Sequence, residues 1–213
     1  MESVRPRKDQ VRNRALLIDA ARKVYGNQGV DAPFDLVAKA AGLSNATLYR
    51  HFPQREHLLV EVYRLSLTEN LSRFAALDAS GDPWASVVEY CRWVFDTQFE
   101  NLTLTRCLAT IPAGLDSGLD AQRAAMRDSL MNLIDRAKGE GRFRSDRYLD
   151  DLILYFAANE VLAGLGEDAR PQSRRLFELM IDSISTERHI DPNSVAPAPL
   201  TMDSVLTKAL SAT

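Results

Sequence analysis

The chain contains few cysteines and histidines, and this limits the chemistry open to it. Of 213 residues, two are cysteine and three are histidine. The histidines do not form an HExxH pattern, and the cysteines, Cys91 and Cys107, lie far apart in helical segments. The sequence also lacks a glycine-rich phosphate loop and a GxSxG elbow. We therefore expect a protein that is not an enzyme, has no catalytic residues, metal or cofactor, and works in a reducing compartment.

Long apolar runs are missing as well. No stretch reaches the ~18 residues of a membrane span. Residues 1–15 are basic and polar, without the apolar centre of a signal peptide. Hydrophobic residues make up 46% of the chain and charged residues 26%, which are ordinary values for a globular protein. We expect a cytoplasmic protein with no membrane partner.

Positive charge is slightly outnumbered overall but is in excess at one end. The formal net charge is −3. Residues 1–60 contain ten Lys and Arg against six Asp and Glu, a balance of +4, and residues 61–213 contain sixteen against twenty-three, a balance of −7. This asymmetry suggests that the N-terminal part meets an acidic partner such as nucleic acid. The basic residues of the first fourteen positions predict either an arm that reaches DNA or a solvated tail.

Apolar residues recur at helical spacing along most of the chain, and no alternating strand pattern is present. An all-α fold is therefore predicted. Asp146 is a candidate cap for the helix that starts at residue 149. The predicted helices cover about 9–25, 34–41, 45–51, 55–76, 84–98, 102–110, 119–137, 149–165 and 171–184.

The most informative segment is AGLSNATLYRHF, residues 41–52, which is typical of the turn and second helix of a helix-turn-helix. Gly42 can supply the positive φ that ends a helix, and Ser44 is a good N-cap for the next one. That next helix, residues 45–51, is too short and too polar to be a core helix. Its side chains can reach phosphates and base edges, so the segment predicts a helix that enters the major groove of DNA.

Residues 10–65 resemble the TetR family of bacterial one-component repressors. The resemblance rests on an alanine-rich first helix, the segment FDLVAKAAGLSNATLYRHF, and a helix that begins with a basic residue and EHLL. It implies a basic arm over 1–9, a helix-turn-helix DNA-binding domain over 10–60, a helical effector-binding and dimerisation domain over 61–190, and a Pro/Ser/Ala-rich tail over 191–213. It further implies a repressor that binds a palindromic double-stranded DNA operator as a homodimer and is released by a small, mostly apolar effector.

The resemblance also places DNA contacts on individual residues. Thr47, Tyr49, His51 and Arg55 match positions that usually contact phosphates, and the variable positions that usually face bases hold Asn45, Ala46 and Arg50. The full predicted DNA-binding set is Ser44, Asn45, Ala46, Thr47, Tyr49, Arg50, His51 and Arg55.

This chain departs from the family pattern at two places. Pro33 stands where the family often has Ser or Thr, so one cap and phosphate contact is lost. The pair Asn45-Ala46 replaces a pair that is usually small or contains glycine, so the operator cannot be taken from a relative. The residues alone leave plainer interpretations open: Tyr49 as a core residue, His51 as a partner of the helix dipole, and Arg50 as a solvated charge.

Bulky and soft side chains in the middle helices suggest a ligand cavity, with polar residues among them to orient the ligand. The alternative is that the same side chains simply form the core, and Asn159 could instead serve a dimer interface. The predicted ligand-binding residues are Trp84, Cys91, Phe95, Gln98, Met126, Leu130, Phe156 and Asn159.

The helices at 149–165 and 171–185 are apolar on many sides and would need cover from a second subunit. The alternative is a monomer core. The predicted dimer-interface residues are Leu176, Leu179, Met180 and Ile184. Two other functions remain open from the sequence, a helical adaptor that binds protein and a redox-sensing regulator that uses Cys91 or Cys107.

Overall fold

The computed structural model describes residues 5–79, 81–109 and 111–187. Within these ranges the chain forms helices and no strand, which confirms the all-α prediction. One isolated antiparallel bridge joins Phe143 and Ser185. The predicted tail, residues 191–213, lies outside the described residues. The helices are α1 Arg5–Gln28, α2 Asp35–Ala41, α3 Asn45–His51, α4 Arg55–Asp78, α5 Pro83–Ala109, α6 Ser117–Gly139, α7 Leu149–Gly164 and α8 Arg170–Ile184, with a short 3-10 helix at Glu167–Ala169.

Helix α1 is longer than the apolar pattern predicts at both ends. It begins at Arg5, so residues 5–9 of the predicted basic arm are helical. Pro6 does not prevent this, because a residue in the first turn of a helix has no intrahelical partner for its N–H. The helix ends at Gln28, and Gly29 follows with a φ of 83°.

Helices α5 and α7 also differ from prediction. The two helices predicted around residues 84–110 are one helix with a kink at Asn101, whose φ and ψ are −138° and 36°. At the start of α7, Asp146 does not act as the cap, because its carboxylate accepts hydrogen bonds from Arg144 at 3.0 and 2.9 Å. Asp151 does the capping instead and accepts from the backbone N–H of Tyr148 at 2.7 Å.

The described residues fall into two compact units. The first comprises the residues up to Ser72 together with Thr103–Met126. The second comprises Arg73–Leu102 and the described residues from Arg127 onward. No described helix has the length and apolar character needed to cross a membrane.

The first unit is built on an apolar core to which α1, α2, α3 and α4 all contribute. Arg22 pairs with both carboxylate oxygens of Glu69, at 2.7 and 2.9 Å, and so joins α1 to α4. Arg64 of α4 donates to Asp116 at 2.9 Å, and Asp116 caps α6 by accepting from the N–H of Leu119 at 2.7 Å. The fully buried side chains of this core include Leu17, Ala21, Tyr25, Val37, Leu48, Leu58, Val62 and Leu119.

The second unit contains a buried polar network inside an otherwise apolar core. The Asn159 side-chain amide donates to the backbone carbonyl of Phe95 at 3.2 Å and to the side chain of Gln98 at 2.7 Å. Ser173 donates to the Asn159 oxygen at 2.5 Å, and Gln98 donates to the carbonyl of Phe156 at 3.0 Å. These bonds join α5, α7 and α8, and they satisfy buried groups that would be costly to leave unpaired.

Candidate nucleic-acid interface

The turn between α2 and α3 has the geometry that the sequence predicts. Gly42 ends α2 with a φ of 68°, in the left-handed region that a side chain disfavours. Its N–H donates to the last carbonyls of α2, and the N–H of Leu43 donates to the carbonyl of Ala38 at 2.9 Å. These bonds satisfy groups at the helix end and fix the direction of the chain into α3.

Ser44 caps α3, as predicted. Its side-chain oxygen accepts from the backbone N–H of Thr47 at 3.2 Å. The two hydroxyl groups of Ser44 and Thr47 are also hydrogen-bonded to each other at 2.9 Å. One of their two protons serves this bond, so the other remains available to an outside acceptor such as a phosphate.

Helix α3 has one buried side and one exposed side. Leu48 is fully buried, and Phe52, which follows the helix, is 2% exposed. Among the predicted DNA-binding residues, Thr47 and His51 are half-buried. The exposed side carries Ser44, Asn45, Ala46, Tyr49 and Arg50.

Tyr49 is held by two residues at the start of α2. Its ring packs edge-on against Phe34 with the ring centres 5.5 Å apart, and its hydroxyl donates to the Asp35 carboxylate at 3.2 Å. The side chain is still 47% exposed, so it is not a core residue. The hydrogen bond to Asp35 raises the pKa of the Tyr49 hydroxyl, and the positive charge of Arg55 acts weakly in the opposite direction. The hydroxyl is therefore protonated at neutral pH and can donate.

Asp35 is a part of this surface that the sequence pattern did not indicate. A carboxylate in the first turn of a helix interacts favourably with the helix dipole, and Asp35 holds this position in α2. The structure adds an exposed carboxylate that meets the tyrosine of α3. Only the fold brings these residues, fourteen positions apart, into contact.

Two basic residues of the first unit, one of them in the predicted DNA-binding set, have partners within the chain. The half-buried guanidinium of Arg55 donates to the carbonyl of Val30, which joins the start of α4 to the loop after α1. A guanidinium has further N–H donors, so Arg55 can still serve a phosphate. Arg14, in the basic N-terminal stretch, lies over the Phe52 ring at 5.1 Å and pairs with Glu61 at 3.1 Å.

Comparison with known proteins agrees with this geometry. The sequence profile described as bacterial regulatory proteins, tetR family, matches residues 17–62, which include α2, the turn and α3. An HTH-type transcriptional regulator of Staphylococcus aureus is 27% identical over 107 residues, which span 48% of this chain and 56% of that relative. A TetR transcriptional regulator from Streptomyces coelicolor has a similar structure, with a TM-score of 0.57 and 28% identity over 81% of this chain and 98% of that one. Residues 17–62 of this chain are therefore similar to the N-terminal helix-turn-helix domain of tetR-family regulators.

A second solved structure of the TetR family shares the fold. It is a transcription regulator from Marinobacter aquaeolei, with a TM-score of 0.63 and 21% identity over 86% of this chain and all of that one. The curated Staphylococcus relative, in contrast, is matched over only about half of its length.

The predicted effector residues lie mostly in the second unit, and Met126 lies in the first. Gln98 and Asn159 are buried and hydrogen-bonded to each other, so their polar groups already have partners. Phe95 contacts Phe156 and Phe177 with ring centres 6.1 and 5.4 Å apart. Of the whole set, Trp84, Cys91, Phe95, Gln98, Met126, Leu130 and Asn159 are buried and Phe156 is half-buried.

Cys91 is a poor candidate for a redox sensor. It is fully buried, and burial raises the pKa of its thiol to about 12. Because the thiolate is the reactive form, this thiol is inert at neutral pH. The side chain of Cys107 lies outside the described residues.

The predicted dimer residues divide between the inside and the outside of the second unit. Met180 and Ile184 are each 0% exposed in the single chain, so the prediction that they contact a second subunit is wrong for this packing. They lie on the inward stripe of α8 with Phe177 and Ile181, at the spacing of one helix face. Leu176 is half-buried and Leu179 is exposed, on the outer side.

We expect Asp35→Asn to lower the pKa of the Tyr49 hydroxyl towards the ordinary value of tyrosine. Asp35 raises this pKa because its charge and its hydrogen bond favour the protonated phenol, and the amide retains the shape without the charge. An ultraviolet titration can measure the shift, with Tyr49→Phe used to identify the signal of this residue. Identical Tyr49 titrations in the wild type and Asp35→Asn would mean that the two side chains do not interact in solution.

Proposed function

We propose that this chain is a DNA-binding transcriptional regulator, and not an enzyme, and that α3 enters the major groove of an operator. The observation that supports this most is the short polar helix α3, which is capped by Ser44, anchored by Leu48 and open to solvent on its other side. A rigidly held helix of this kind fits the major groove. The similarity of residues 17–62 to the tetR family, and of part of the chain to an HTH-type transcriptional regulator, supports the same proposal.

The residues of α3 would then have two roles. Thr47, Tyr49 and His51, with Arg55 from α4, would hold phosphates and fix the position of the helix on the duplex. Asn45, Ala46 and Arg50 would face base edges, with Ser44 beside them. Because one hydroxyl proton cannot serve two acceptors, Tyr49 would have to exchange the Asp35 carboxylate for a phosphate when DNA binds.

The first prediction of this proposal is specific duplex binding that weakens steeply as salt rises. Each phosphate contact by a cation releases counterions, so several such contacts lower the affinity by orders of magnitude between about 50 and 200 mM salt. A footprint should show inverted symmetry, with half-sites roughly 34–36 Å apart. Electrophoretic shift with the DNA that flanks the gene, followed by footprinting, measures both properties.

Variants of α3 test whether Asn45 and Arg50 read bases in the operator. Asn45→Ala or Arg50→Ala should change the preferred bases, at a cost of roughly 1–3 kcal/mol for each good contact. Lys39→Ala, an exposed charge on α2, is a control for the loss of positive charge. A selected motif that is unchanged in both α3 variants would show that these residues do not read bases.

The salt dependence has its own contrary outcome. Binding that is insensitive to salt would favour a protein adaptor over a DNA-binding regulator.

We also propose that the protein is a homodimer formed by the outer sides of α7 and α8. The support is an apolar strip along α7 in which Ile153, Leu154 and Val161 are 50, 69 and 59% exposed. These residues share one helix face, and Leu179 of α8 is 42% exposed. A groove of about 340 Å³ lies between the two helices and is lined in part by Leu154 and Leu176.

Replacement of Leu154 or Leu179 by Glu should convert the dimer to a monomer. A charge that is buried at an apolar interface without a partner is strongly unfavourable. Both side chains are exposed in the single chain, so the variants should still fold. Sedimentation velocity measures the outcome, and Met131→Glu, at an exposed apolar position of α6, serves as the control. Dimers in both α7 and α8 variants would place the interface elsewhere.

Finally, we propose that a small, mostly apolar effector binds in the second unit and lowers the affinity for DNA. The support is the cluster of aromatic rings formed by Phe95, Phe156 and Phe177, beside the buried amides of Gln98 and Asn159. Such a lining suits a ligand with an apolar body and few polar groups. Helix α4 contributes residues to both units and is the segment through which we propose that the effect passes.

An effector of this kind must obey reciprocity. The factor by which it weakens operator binding should equal the factor by which saturating operator weakens effector binding. Thermal-shift screening of small apolar compounds would find ligands, and calorimetry with and without operator would measure both factors. A ligand that binds the second unit without changing the affinity for operator would show that the site is not regulatory.

A further inference from the structure

We propose that the carboxylate of Asp35 reads a base in the operator and selects cytosine. This inference rests on the proposed DNA-binding function and assigns a specificity-determining residue on α2 rather than on α3. It comes from the place of Asp35 beside Tyr49 and from the chemistry of the groups that duplex DNA presents.

The structure places the carboxylate on the same exposed surface as α3. Asp35 is exposed at the start of α2, and its oxygen lies 3.2 Å from the Tyr49 hydroxyl. Phe34 packs against the Tyr49 ring and limits how far the two helices can separate locally. A duplex that meets the exposed side of α3 therefore also meets Asp35.

Most groups on DNA would repel this carboxylate. Phosphate oxygens are negative, and guanine and thymine present acceptor oxygens in the major groove. Adenine presents an amino group next to the acceptor N7, whereas cytosine presents its N4 amino group as the donor. A carboxylate only accepts hydrogen bonds, so cytosine stabilises it most. Adenine offers a donor beside the acceptor N7, and guanine and thymine offer acceptors only.

The hydrogen bond to Tyr49 does not exhaust the acceptor capacity of Asp35. A carboxylate has several lone pairs on two oxygens, so it can accept from the tyrosine and from a base. When Tyr49 transfers its donation to a phosphate on binding, as proposed above, the cytosine amino group replaces it on Asp35. The carboxylate then still accepts from a donor.

Selection from random duplexes tests the assignment with the wild type, Asp35→Asn, Asp35→Ala and the control Asp19→Asn. Asp19 is an exposed carboxylate of α1, so its variant changes net charge equally. We expect the wild type to prefer cytosine at one position of each half-site by roughly tenfold. Asp35→Asn should shift that position towards adenine, because an amide both donates and accepts, and Asp35→Ala should lose the preference. Asp19→Asn should retain the wild-type motif.

A modified base gives a second measurement on the same proteins. N4-methylcytosine at the selected position keeps its base pair but blocks the amino hydrogen in the major groove. It should weaken the wild type by roughly tenfold and leave Asp35→Ala unaffected. If both Asp35 variants keep the wild-type motif and merely bind every sequence more tightly, Asp35 only repels phosphates and the assignment is overturned. If the wild type binds no duplex, the DNA-binding proposal itself fails and the assignment fails with it.

Discussion

Burial of Leu48 is the interaction on which the exposed surface of α3 depends. A helix of seven residues is not stable alone in water, since too few hydrogen bonds offset the cost of starting it. Leu48 lies fully buried in the core formed by α1, α2 and α4, and it fixes which side of α3 faces outward. Loss of a buried leucine side chain costs roughly 2–5 kcal/mol. That is a large part of the stability of an ordinary domain. A substitution of Leu48 in the core would therefore also disturb the exposed surface of α3.

Hydrogen bonds then fix the polar groups on the exposed side. Ser44 and Thr47 bind each other, Tyr49 donates to Asp35, and Arg55 donates to the backbone at Val30. The surface is therefore organised before any partner arrives, and a partner must compete with bonds already present. Competition lowers the affinity for every partner, and the loss is smallest for one whose donors and acceptors complement the groups released. Competition of this kind favours selectivity over raw affinity.

Local signals allowed the helix-turn-helix to be predicted from the sequence. The end of α2 at Gly42, the cap at Ser44 and the bounds of α3 each depend on residues within a few positions of one another, and all are confirmed. The errors concern side-chain partners and helix orientation, which the pattern of residue types does not determine. Asp151, rather than Asp146, caps α7 because loop geometry decides which acid reaches the helix end. The inward stripe of α8 buries Met180 although the pattern alone allowed it to face outward.

The buried amides of the second unit show why a polar residue in an apolar segment is an ambiguous signal. Gln98 and Asn159 have the character expected of ligand contacts, yet each already has partners within the chain. Their bonds with Phe95 and Ser173 specify how α5, α7 and α8 pack. An apolar molecule that entered here would have to leave this network intact, because a broken bond leaves a buried group unsatisfied at about 1–3 kcal/mol. A molecule with its own donor or acceptor could replace one of these bonds. It would then loosen the packing between these helices, and so alter the second unit through the contacts that hold it together.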